Sequence, residues 1–271
     1  MQTVGFLNNK TMKNFFLLAS LMLAFAAHSQ TVTVNYSEGR IISKERLEAM
    51  PEFARKQALE SYSYVLQYSK GVSLYKNAAE TKNVESSEKI VLADQREGDV
   101  IKKNEVSYNI QNKMIEKWYY KDFNSNELLF NFYNVKDFYG KDRLLPWDWK
   151  ITEETKVING FLCKKATSDA FGYYFTAWFT EDIAISAGPE KFDGLPGLIL
   201  YVGTAYYEYV ATSVKIEKKP ITLERPEMPK ETVTMAEVES FVKNGISKLK
   251  SGTTTRVNGN TTTTRSTIII R

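Results

Sequence analysis

Of the side chains that most readily carry chemistry, the sequence holds one histidine, His28, and one cysteine, Cys163. His28 falls within an N-terminal segment that reads as a cleavable leader, so the working chain is expected to contain no imidazole. That excludes a Ser-His-Asp or Cys-His site, a His-ligated zinc and an imidazole pH switch. One thiol forms no internal disulfide, so the fold must be held by its core. Cys163 lies on a predicted strand, beside Lys164 and two residues from Lys165. Ammonium groups there would lower its pKa and make it a reactive thiol. A lone cysteine more commonly packs as a small buried hydrophobe, and that reading is favoured.

Ser73-Leu74-Tyr75-Lys76 has the Ser-x-x-Lys spacing of a histidine-free hydrolase. On a strand, residues three apart face opposite sides, so Lys76 would point away from the hydroxyl. The same spacing recurs at Ser86 to Lys89 and Ser247 to Lys250, as chance would produce. The acids Glu153, Glu154, Glu181 and Asp182 could serve glycoside hydrolysis only if two of them converged at a defined separation. Solvated turn residues are the plainer reading. Trp118, Trp147, Trp149 and Trp178 could stack on sugars, although large aromatics usually serve the core. No catalytic residue, metal or cofactor is assigned.

The most specific string is Gly188-Pro189-Glu190-Lys191-Phe192-Asp193-Gly194-Leu195-Pro196-Gly197-Leu198-Ile199-Leu200. Proline fixes φ and glycine permits positive φ, so this alternation sets one chain path at low entropic cost. Gly188, Pro189, Phe192, Gly194, Leu195, Pro196, Gly197, Leu198 and Ile199 form the candidate ligand or partner loop. It either seals one end of the sheet by burying Leu195, Leu198 and Ile199, or forms a lip over an apolar cavity. With Trp149-Lys150-Ile151, residues 156–166 and Ala177-Trp178-Phe179-Thr180, the string closely resembles the GLPGLI family, exported proteins of uncharacterised function in Bacteroidetes. The resemblance is dense over 147–203. Two positions depart from that family's pattern: Tyr173, where a basic residue often follows the glycine, and Ala184, where proline often sits.

Several elements must position these residues. Lys13, the apolar stretch 15–27 and the small or polar Ala27-His28-Ser29-Gln30 have the grammar of a secretory signal cut after Ser29. About a dozen apolar residues fall short of the roughly 20 that span a bilayer as a helix. Met12 is the better start, and no cysteine follows to carry a lipid anchor. The expected division is a leader over 1–29, a β-rich domain over 30–219, a Pro-rich linker and closing helix over 220–250, and a Thr-rich disordered tail over 251–271.

Thr31 to Tyr36 alternates as a first strand, and Pro51 to Leu59 reads as a helix. A hairpin over 62–75 follows, and 77–104 reads as a long loop with at most one short strand near Ile90. From 105 to 180 short strands form an antiparallel meander that Trp147-Asp148-Trp149 interrupts as a strand edge. The last hairpin spans Leu198 to Ile216. Val238, Phe241, Val242, Ile246 and Leu249 lie at helical spacing. The fold class is α+β: a strongly curved, mainly antiparallel sheet, at most an incomplete barrel, with an N-terminal and a C-terminal helix.

The 13% aromatic content with 16 tyrosines suits pleated, half-buried surfaces. A net charge of +4 falls further once Lys10 and Lys13 leave with the leader, which gives no nucleic-acid footprint. No integral membrane span is expected after the leader. The functional expectation is an exported, non-enzymatic envelope protein, periplasmic, at the outer-membrane surface or secreted. It would bind an apolar small molecule or an outer-membrane protein partner. The alternatives are a histidine-independent hydrolase using acidic residues and a structural part of an outer-membrane assembly.

Overall fold

The computed structural model describes residues 30–78, 84–97, 100–112, 116–134, 136–248, 252–258 and 261–270. The expected leader lies outside them. The chain divides into two units, one built from residues up to 79 with 117–235 and the other from 80–116 with 236–271.

The first unit opens with β1 (Thr31–Arg40) and the short helices α1 (Lys44–Glu48) and α2 (Glu52–Ala58). The hairpin β2 (Tyr62–Ser69) and β3 (Val72–Asn77) follows. In the second unit lie β4 (Val84–Glu97) and β5 (Val100–Asn112). The chain then returns to the first unit as β6 (Trp118–Asp122), β7 (Glu127–Asn134) and β8 (Lys136–Asp142). Next come β9 (Lys150–Ile158), β10 (Phe161–Ala170), β11 (Tyr173–Thr180), β12 (Leu198–Gly203) and β13 (Tyr207–Glu217).

Eleven of these strands make one antiparallel sheet, ordered β8-β7-β6-β3-β2-β1-β13-β12-β11-β10-β9. It is open: β8 and β9 are its two edges, so it does not close into a barrel. Tight turns set the hairpin registers. Lys70-Gly71 and Asn159-Gly160 both place two successive residues at positive φ, the geometry whose twist matches paired strands.

Period-two alternation puts one row of side chains across the sheet in register: Val34, Leu66, Tyr75, Tyr119 and Phe130, all buried. The row ends at Gly140 on β8, where a Cβ would sit 1.9 Å from the Phe130 ring. The ring therefore lies over bare backbone and fills the space a side chain would have taken.

The expected meander over 105–180 is corrected. β6-β7-β8 and β9-β10-β11 are two separate antiparallel runs at opposite ends of the strand order. The reason is that β6 pairs back onto β3, so the run that follows it grows away from β1, while the Gly/Pro loop returns β12 to β11 on the other side. Trp147 and Trp149 lie in the connector before β9, or at its threshold, and not on a strand edge.

In the second unit the expected loop over 77–104 is instead the long antiparallel pair β4 and β5. The Thr-rich segment expected to be disordered forms β14 (Gly252–Asn258) and β15 (Thr261–Ile270), giving the sheet order β14-β15-β5-β4. Threonine is β-branched and fits a pleated surface, a preference that outweighs the low hydrophobicity from which disorder was expected. Helix α3 spans Met235–Lys248; within the first unit its first residue, Met235, donates its N–H to Asp142 Oδ2 at 3.0 Å. Among the described residues no helix is long and apolar enough to cross a membrane.

Candidate functional site: a loop latched by two lysines

The residues between β11 and β12 fold into the sheet's core. Ile183, Ile185, Ala187, Phe192, Leu195, Leu198 and Ile199 are all buried. Backbone bonds from Leu198 N–H to Ile183 O and from Ile199 N–H to Ala187 O tie the loop's exit to its entry. Two glycines are required by geometry. Gly194 has φ +86°, and a Cβ on Gly197 would lie 2.0 Å from the Thr180 carbonyl oxygen. Glu190 also adopts positive φ, at 44°, which a residue with a Cβ tolerates poorly.

What holds the loop is polar. Lys117, Tyr119 and Lys121 are spaced by two and face the same side. Lys121 is wholly buried, donates to the carbonyls of Gly188 (3.2 Å) and Phe192 (2.6 Å), and lies 3.4 Å from Asp193 Oδ2. Lys117 forms ion pairs with Glu190 at 2.6 Å and with Glu38 of β1. Its ammonium sits 4.2 Å from the Tyr64 ring centre, with Tyr209 and Tyr75 within 6 Å. Two indoles close the outer side: Trp147 Nε1–H donates to Lys191 O and Trp149 Nε1–H to Asp193 O. The Trp147 ring stacks on Trp149 and packs against Phe192 and Phe175.

Burial and charge act in opposition here. Burial alone would depress the Lys117 ammonium, but Glu190 and Glu38 hold it well above the usual lysine range. Burial raises the Glu38 carboxyl, with Lys117 opposing and Glu190 adding to the shift. For Glu190 burial also pushes upward, yet Lys117, Lys191 and a bond from Tyr209 outweigh it, and the group is held low. In the second pair burial lowers Lys121 and raises Asp193, each offset in part by the other's charge.

Of the loop residues singled out in the sequence, Phe192, Leu195, Leu198 and Ile199 are buried, while Gly194 and Pro196 are exposed. Cys163 is buried, with its thiol pushed up chiefly by burial. The two ammonium groups expected to activate it are engaged elsewhere, Lys164 with Glu181 and Lys165 with Glu154, both at 2.8 Å. Ser73 is buried while Lys76 is exposed, so the Ser-x-x-Lys spacing forms no dyad. Among the described residues no group of three or more His, Cys, Asp or Glu could hold a metal ion. Sequence reasoning missed Glu38, Lys117 and Lys121. The signal was two lysines on the same parity as Tyr119, where alternation demands core residues.

The two sheet edges differ. β8 is bridged at Gly140, where Val233 N–H donates to Tyr139 O and Lys141 N–H to Val233 O. β9 is exposed along nearly its whole length. Val157 and its cross-strand partner Leu162 are 67% and 58% exposed.

A family described as a protein of unknown function, Porph_ging, matches residues 172–201, which span β11, the latched loop and most of β12. No curated protein matches the chain. Two solved structures, described as PNGF-II in a C2 and a P21 space group, are similar at 16% sequence identity, with TM-scores of 0.42 and 0.44. Each comparison covers 84% of this chain and 35% of the other, so the chain spans about a third of those proteins' length.

Proposed function

We propose that this chain is an exported, non-enzymatic envelope protein of the GLPGLI family that binds a protein partner along the β9 edge of its sheet. The observation that carries the reading is the contrast between edges. The Val233 bridge blocks the middle of the β8 edge to an added strand, whereas the unbridged β9 presents unpaired N–H and C=O groups along its length. On β9 these groups lie beside the exposed Val157 and Leu162. Lys150, Glu153, Glu154 and Lys156 keep the same edge solvated when it is unoccupied.

An apolar small-molecule ligand is less well supported, because the loop's apolar residues fill the core. A hydrolase using Glu153 with Glu181 or Asp182 is also less well supported. Glu181 is neutralised by Lys164 at the surface, and Glu153 stands exposed on β9.

Chain length supports a strongly curved sheet. Ten strand spacings of about 4.8 Å would separate β8 from β9 by about 48 Å in a flat sheet. Residues 143–149 join them, a reach of about 28 Å when fully extended. Curvature also lets Lys117 beside β6 touch Glu38 on β1, three strand positions away.

The test is site-specific photo-cross-linking from position 157 in envelope fractions, repeated with Leu162→Glu. A single stoichiometric adduct that Leu162→Glu abolishes supports the reading. Absence of any adduct, together with an apolar compound recovered by mass spectrometry of organic extracts, would replace it with the ligand reading.

A further inference from the structure

We propose that the Glu38–Lys117–Glu190 cluster is a one-proton site that makes the grip of the sheet on the Gly188–Asp193 loop depend on pH. Both carboxylates contact the same ammonium. Fully ionised, the trio carries one excess negative charge in an interior walled by Tyr64, Tyr75 and Tyr209, all buried. Like charges so close in a poorly solvated site cannot both stay ionised without cost, and one proton restores neutrality.

The neighbours decide where that proton resides. From the loop Lys191 acts on Glu190, from β6 Lys121 also interacts with it, and from β13 the Tyr209 hydroxyl bonds to it. From β1, Arg40 is the weakest of the influences on Glu38, and from β2 Tyr62 and Tyr64 face Glu38 without offering it a positive charge. From β3, Tyr75 presents a buried hydroxyl that makes no hydrogen bond to another protein group. Glu190 is therefore the better-stabilised anion, and the proton belongs to Glu38. With the proton on Glu38, Lys117 is wholly available to Glu190 and the loop is held fast. Without it, two anions compete for one ammonium.

Glu38 is raised, so its contribution to stability is present below the ordinary glutamate value and lost as pH rises through its folded value. Glu190 is lowered, so its contribution is present above the ordinary value and lost as pH falls through its folded value. Lys117 is raised, so it stays charged throughout that window. The loop is held best between the two carboxyl transitions.

The test is a carbon-13 NMR titration of glutamate side-chain carboxyls in the whole chain, with through-bond assignment of Glu38 and Glu190. The expected result is a split pair, Glu38 titrating above the ordinary range and Glu190 below it, with the Glu190 signal showing a second inflection at the Glu38 transition. In Glu38→Gln the upper transition and that inflection vanish, and the melting temperature no longer falls as pH rises through the wild-type Glu38 transition. Two carboxyls titrating together in the ordinary range in the wild-type chain would overturn the proposal, as would a Glu38→Gln protein that keeps the wild-type dependence of melting temperature on pH.

Discussion

Lys121 of β6 and Asp193 of the Gly/Pro loop meet at 3.4 Å in the interior, and the lysine side chain has no exposed surface. Each would be costly to bury alone, and together they also satisfy the loop carbonyls of Gly188 and Phe192 through the same ammonium. Removing one partner leaves an uncompensated charge. Lys121→Met alone is therefore expected to cost about 3–5 kcal/mol, and Lys121→Met with Asp193→Leu to recover part of that loss. Urea unfolding of the two single variants and the double variant checks this. Losses that simply add would contradict the coupling.

Two glycines separate steric from conformational demand. Gly160 has φ +83° and open space around an added Cβ, so Gly160→Ala should cost only about 1–2 kcal/mol. Gly197 would drive its Cβ into the Thr180 carbonyl at 2.0 Å, so Gly197→Ala must displace backbone. Overpacking of that kind costs about 1–3 kcal/mol or more. Thermal melts of the pair should rank Gly197→Ala as the more damaging, and the reverse order would show that the loop is free to shift.

Cys163 should behave as a core residue. Its side chain is buried and its thiol is raised, so iodoacetamide at neutral pH should leave the native protein unmodified and label it fully in urea. Rapid labelling of the native protein, read by intact mass, would mean that β10 opens or that the thiol is activated after all.

Much of the main sheet was legible because its strands alternate and its turns carry the residues that positive φ requires. The alternation of Thr31 to Tyr36 opens β1, and the hairpin expected over 62–75 forms as β2 and β3. What failed was nonlocal. No local pattern indicates that β6 pairs with β3 across the whole of β4 and β5, so one meander was read where the sheet has two runs. β8 carries no clean alternation because Gly140 takes a core-facing position; the residue that fills the gap, Phe130, belongs to β7. The candidate loop was found from its Gly/Pro spacing, but not its fastening. Lys117, Lys121 and Glu38 look like solvated charges until the partners that neutralise them are brought across the sheet.

The Gly/Pro loop is part of the core, clamped by Lys117 at Glu190 and by Lys121 at Asp193. Native-state hydrogen exchange tests that most directly. The Phe192, Leu198 and Ile199 amides donate to Pro189, Ile183 and Ala187 carbonyls, and should exchange as slowly as the amides of β12 that pair with β11 and β13. Exchange at the rate of an unprotected chain across 188–199, while the strands stay protected, would contradict it.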